Sequence, residues 1–126
     1  WSGDVALLQN DRPDITFVIP DEGAVQWFDT MVIPRGSEAL AAAGRFMNFV
    51  YDPVNAARIT EWVSYISPVM GVKEELLRRG GASAELASST VLFPDSSTRN
   101  RLFTWGGLEP ADEEALDERY ALLVES

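Results

Sequence analysis

A chain of 126 residues with 46% hydrophobic content is long enough for one packed domain and too apolar for a disordered segment. Its formal net charge of -10 excludes the basic patches that select nucleic-acid backbones or anionic membranes, and leaves a cationic ligand or partner compatible. The absence of histidine and cysteine removes thiol and imidazole nucleophiles, the usual neutral-pH base, zinc sites and disulfides.

In chain order, Ser2 is positioned to cap a short helix from Gly3 to about Gln9, which ends at Asp11-Arg12-Pro13-Asp14. Ile15, Phe17 and Ile19 then alternate with Thr16 and Val18, the period of a strand, before the turn at Asp21-Glu22-Gly23-Ala24. A second strand follows over Val25 to Pro34. The two strands either form a hairpin or lie as neighbours in a larger sheet.

Ser37 opens an amphipathic helix whose stripe of Leu40, Ala43, Met47 and Val50 reads as core. Asp52-Pro53 reads as an N-cap with proline at the first helical position, opening a helix through Ala56, Ile59 and Val63 to about Tyr65. A helix from Val72 to Arg79, with Val72 and Leu76 inward, stops at Gly80-Gly81. Residues 82–89 carry little pattern, Val91 to Pro94 is short for a strand, and Ser96 to Arg101 can begin a short helix. The last helix spans about Pro110 to Val124, with its acidic residues toward solvent and Leu116, Tyr120 and Leu123 inward. Phe46, Phe49, Phe93 and Phe103 read as core, and Trp62 as core or interlobe packing.

The fold class is therefore α/β, helix-rich with few strands. Two convincing strands make a thin sheet for an autonomous α/β domain, so the pattern points to further strands supplied from outside these residues. The chain starts at Trp1 and not at methionine, which points to a processed or excised polypeptide whose targeting signal lies upstream. No apolar run reaches transmembrane length.

The chemistry concentrates in Val25-Gln26-Trp27-Phe28-Asp29-Thr30-Met31-Val32-Ile33-Pro34. On a strand, Trp27 and Asp29 share one face. A tryptophan face attracts cations through its ring quadrupole, and a carboxylate beside it supplies charge and acceptor oxygens, so the pair suits an alkylammonium group or a lysine side chain. The structural alternative is a core tryptophan beside an aspartate that caps a turn or meets an arginine.

Six motifs in order carry a resemblance: Trp1-Ser2-Gly3-Asp4, Val18-Ile19-Pro20-Asp21-Glu22-Gly23, Trp27 to Pro34, Phe46-Met47-Asn48-Phe49 with Asp52-Pro53, Tyr65-Ile66-Ser67-Pro68, and Leu92-Phe93-Pro94-Asp95. Together they resemble the C-terminal portion of extracytoplasmic solute-binding proteins of polyamine ABC transporters, the spermidine and putrescine receptors. The resemblance is weakest over residues 82–89 and the final helix. It implies a fragment of a two-lobed receptor of the type II periplasmic-binding-protein fold, with ligand in the interlobe cleft. Residues 1–126 would be roughly its last third, a single compact fragment with parts of both lobes possible. The implied ligand is a putrescine- or spermidine-like polyamine and the implied partner a membrane permease. No cofactor, metal or nucleic acid is implied, and the place is the periplasm or the extracellular face of the cytoplasmic membrane, free or lipid-anchored.

Carried over residue by residue, the resemblance makes Trp1 a wall for the ligand's methylenes and Trp27 with Asp29 the central pair, Asp29 taking a terminal ammonium. Tyr65 matches a tyrosine whose hydroxyl reaches the cleft. Asp4 matches an acidic position present in some members, and caps the first helix turn on the other reading. Trp105 falls near a polar contact position but is tryptophan here, a departure that leaves open pocket lining, altered ligand choice or core packing. Three rival functions stand beside this one. They are an enzyme using Asp4 and Asp29 as paired carboxylates on a sugar, a neutral-sugar binder, and an acidic module recognising lysine-bearing peptide.

Overall fold

Capping residues and apolar periodicity divide the chain into seven helices and two very short strands among the described residues, which are 1–104 and 106–124 of the computed structural model. In order these are α1 (Ser2–Leu8), β1 (Ala24–Val25), α2 (Leu40–Val50), α3 (Pro53–Val63), α4 (Val72–Arg79), α5 (Gly81–Leu86), α6 (Ser96–Arg99), β2 (Leu102–Phe103) and α7 (Pro110–Val124). Trp105, one of the anticipated ligand contacts, lies outside the described residues.

The core forms where α4 packs against α3 and α5. Small residues make the approach possible: Ala56 and Ala57 on α3 meet Val72 and Leu76 on α4 and Ala87 beyond α5, with Val69, Leu86 and Phe93 packed against them. Leu76 and Leu92 are the largest side chains fully withdrawn from water among the described residues. The start of α3 is set as anticipated, since Asp52 accepts hydrogen bonds from the Val54 and Asn55 backbone amides at 3.0 and 3.2 Å and Pro53 follows at the first helical position. The ends of α4 also match the expected span. The weakly patterned stretch after it nonetheless forms α5, fastened by the Ser83 hydroxyl donating to Glu61 on α3.

A polar network ties the same three helices. Glu75 on α4, only 9% exposed, accepts from Arg78 at 2.7 and 2.8 Å and from Arg79 at 3.1 Å. Arg79 continues to Glu61 at 2.7 Å and to the Val54 carbonyl at 2.8 Å. Arg78 first, then Arg79, hold the Glu75 carboxyl down from 4.5 to about 2. A carboxyl depressed by folding contributes stability above its unfolded value, and that contribution is lost as pH falls through its folded value. The melting-temperature advantage of the wild type over Glu75→Gln is therefore expected to shrink as pH is lowered from 4.5 toward about 2. A constant advantage across that window would contradict the network's role.

Several expectations are corrected. Helix α1 begins at Ser2 with Trp1 at the cap position and no side-chain cap, so Ser2 lies inside the helix. Residues 15–19 keep the predicted alternation, Ile15, Phe17 and Ile19 half-buried between exposed Thr16 and Val18, yet they pair with no strand. β1 does not hairpin with them. It pairs parallel with β2, Ala24 opposite Leu102 and Val25 opposite Phe103, through bonds from Ala24 to the Arg101 carbonyl and from Gln26 to the Phe103 carbonyl at 3.1 and 2.8 Å. Gly23 permits that approach: its φ is +104°, and a Cβ there would sit 2.5 Å from the Arg101 carbonyl oxygen.

Helix α2 buries no residue, Leu40, Phe46 and Phe49 are exposed, and Ala43, Met47 and Val50 are half-buried, so its stripe is not core among these elements. Phe103 is half exposed and only Phe93 of the four phenylalanines packs on the core. Trp62 is 85% exposed and lies outside the core. Every residue of α7 is exposed, including Leu116, Tyr120 and Leu123. An apolar stripe marks the face that gains from burial, and burial needs a second surface that these elements do not supply.

Candidate ligand-binding site

The extended chain after β1 builds one wall of a cleft of about 760 Å³. The strand expected over Val25 to Pro34 is confined to β1, Ala24–Val25, yet Val25 and, beyond it, Trp27 and Asp29 still line the cleft at alternate positions. Trp1, at the start of α1, meets Trp27 edge to face, ring centroids 4.5 Å apart and planes at 66°. Both indoles remain open to solvent, Trp1 at 72% and Trp27 at 49% exposure.

Tyr65 completes the lining. It follows the end of α3 at Val63 and Ser64, a buried residue in the left-handed conformation with φ 56° and ψ 30°. That turn redirects the chain away from the helix axis. Burial pushes the Tyr65 phenol up from its ordinary value, and the nearby carboxylates of Asp4 and Asp29 add to the rise. Its hydroxyl therefore stays protonated across physiological pH and can donate a hydrogen bond.

Of the anticipated contacts, Trp1, Trp27, Asp29 and Tyr65 come together around the cleft. Asp4 does not line it. Its carboxylate lies 3.4 Å from the Trp1 backbone nitrogen in the first turn of α1 and pushes the Tyr65 phenol up by its charge and by hydrogen bonding. Sequence reasoning missed Val25, although the alternation that joined Trp27 to Asp29 extends to it. It also missed an apolar cavity of about 500 Å³ under the same stretch, lined among others by Phe17, Ile19, Phe28 and Leu102. Of residues 15–19, Phe17 and Ile19 line that space.

Flat aromatic walls, one carboxylate and one phenol donor equip the cleft for binding an elongated cation with apolar segments. Among the described residues Asp29 is the single carboxylate that lines it, whereas glycoside hydrolysis calls for two flanking the bond.

The model of the bacterial extracellular solute-binding protein family matches residues 1–88. The spermidine/putrescine-binding periplasmic protein of Escherichia coli K12 is 28% identical over 98 residues, covering 78% of this chain and 26% of its own. The putrescine/cadaverine-binding protein of Pseudomonas aeruginosa is 30% identical over 104 residues, covering 82% of this chain and 28% of its own. A putrescine-binding periplasmic protein of Escherichia coli K12 is 27% identical over 110 residues, again with 82% and 28% covered. The chain thus spans about a quarter of the length of the curated relatives it matches. No solved structure matches it. With the family model covering most of the chain, and with the motifs that line the cleft falling inside the matched residues, the chain belongs to the bacterial extracellular solute-binding proteins.

Proposed function

We propose that the chain is the C-terminal portion of the receptor component of a polyamine ABC transporter, binding putrescine- or spermidine-like cations without chemical change. The observation that carries this reading is the convergence of Trp1, Trp27, Asp29 and Tyr65 on one cleft. In it the methylenes lie against the indole walls, the Asp29 carboxylate takes a terminal ammonium, and the Tyr65 hydroxyl oxygen accepts a hydrogen bond from the ligand's ammonium. Asp4 acts behind Tyr65 and is not a direct contact. The names of the relatives, which speak of spermidine, putrescine and cadaverine, support the ligand class.

The remaining contacts come from the other lobe, whose closure over the ligand produces the form that a membrane permease recognises. The receptor works in the periplasm or on the outer face of the cytoplasmic membrane. The fragment account is favoured over a free-standing peptide-binding module by the exposed apolar face of α2 and the exposed large apolar side chains of α7, which an autonomous small domain would bury.

Titration calorimetry on the full-length protein with putrescine, spermidine and a neutral sugar, at low and high ionic strength, tests the reading. Polyamine binding that weakens as salt screens the Asp29 carboxylate is expected, with no heat from the sugar. Sugar binding, or polyamine binding indifferent to salt, would overturn it.

A further inference from the structure

We infer that Gly3 is a positioning residue for the cleft: the missing side chain at this point of α1 is what allows the Tyr65 ring to lie against the helix and reach the ligand. The inference rests on the proposed polyamine site and deepens it. Gly3 is the one buried residue of α1, and a Cβ built on it would lie 2.1 Å from Tyr65 Cε2, 2.2 Å from Cδ2 and 2.6 Å from Cζ. Carbon atoms in contact sit about 3.5 to 4.0 Å apart, so the ring occupies the space that any side chain at position 3 would need.

The backbone gives glycine no other reason to be there. Gly3 lies inside a helix and is absent from the residues with positive φ, and glycine is a poorer helix former than alanine. Space for the ring is the remaining role. The opposing atoms belong to the outer part of a side chain, while the Tyr65 backbone is held by the left-handed turn at Ser64 and the end of α3. A methyl at position 3 would therefore displace the ring and leave the helix standing. The displaced phenol would lose both its shelter and its proximity to Asp4 and Asp29, the causes that push its pKa up and suppress its ionisation.

The test compares full-length wild type, Gly3→Ala, Tyr65→Ala and the double variant by calorimetric titration with putrescine and spermidine. Gly3→Ala is expected to weaken binding roughly tenfold, the scale of losing one aromatic or cation-π contact. In the Tyr65→Ala background the same change is expected to alter affinity less than about twofold, because the two act as one unit. Full affinity in Gly3→Ala, or an equal loss in both backgrounds, would overturn the inference.

A ligand-free readout separates this from failure of the polyamine reading itself. Spectroscopic titration of the tyrosines, with Tyr65→Phe as the baseline, is expected to show the Tyr65 phenol falling back toward its ordinary value in Gly3→Ala. If wild type bound no polyamine, that fall would still uphold the role of Gly3 in seating Tyr65, and an unmoved phenol would refute it.

Discussion

Replacing Asp29 by asparagine in the full-length protein is expected to weaken putrescine binding roughly a hundredfold while leaving the melting temperature unchanged. The substitution keeps the size and shape of the side chain and removes only the charge. Asp29 lies exposed on the chain after β1 and, among the described residues, takes part in none of the hydrogen bonds or ion pairs that hold the fold. Its charge is thus free for a ligand, and stability does not draw on it. When lobes close over a diammonium ligand, an ammonium without a carboxylate is left desolvated and unpaired, and that penalty exceeds what the indole walls return. The same argument explains ligand choice. A cation whose nitrogens are wrongly spaced leaves one charge unpaired, which discriminates more sharply than apolar contact. Calorimetry on the purified variant checks the loss, and a change under about threefold would remove Asp29 from the site.

Truncating Leu76 to alanine is expected to cost about 3 kcal/mol of stability, the largest effect on folding from any single site in this region. The reason is the composition of the core. Its α3 side consists of Ala56 and Ala57, and its other members are Val72 and Ala87, so Leu76 is the largest side chain in the cluster, with Val69, Leu86 and Phe93 packed around it. It has no exposure at all, and the alanines that surround it have no side-chain length with which to close a cavity. The cleft should suffer only indirectly, because Tyr65 follows α3 two residues beyond its last residue, Val63. Urea unfolding of the full-length protein, wild type against Leu76→Ala, measures the cost. A loss below about 1 kcal/mol would mean that the core collapses around the truncated site.

The helices were legible wherever a local signal decided them. Asp52 and Pro53 announce α3 by capping chemistry, and Val72 to Arg79 followed by glycine announces α4, because both signals reside in a few neighbouring residues. The failures share one cause, that burial and pairing depend on partners remote in sequence. Residues 15–19 show the correct alternation without a ladder, and β1 finds its partner at Leu102 and Phe103, far along the chain. The stripe of α2 was read correctly as apolar but is not core among these elements, for periodicity names a face and not what covers it, and the residues expected inward on α7 are exposed.

The site divides along the same line. Trp27 and Asp29 could be joined from their spacing alone, since both stand on one extended stretch, and Val25 follows from the same rule. Trp1 and Tyr65 entered through the family resemblance, because no local pattern brings the start of α1 to the end of α3. The fit of the Tyr65 ring over Gly3 lay beyond sequence reasoning, as it depends on how two distant elements cross.

The most direct test of the cleft is a crystal structure of the full-length protein with putrescine bound. The account predicts an ammonium nitrogen about 2.8 Å from an Asp29 carboxylate oxygen, with the methylenes lying along the Trp1 and Trp27 rings and the Tyr65 hydroxyl beside them. Putrescine bound elsewhere, or held in this cleft with both nitrogens remote from Asp29, would contradict it.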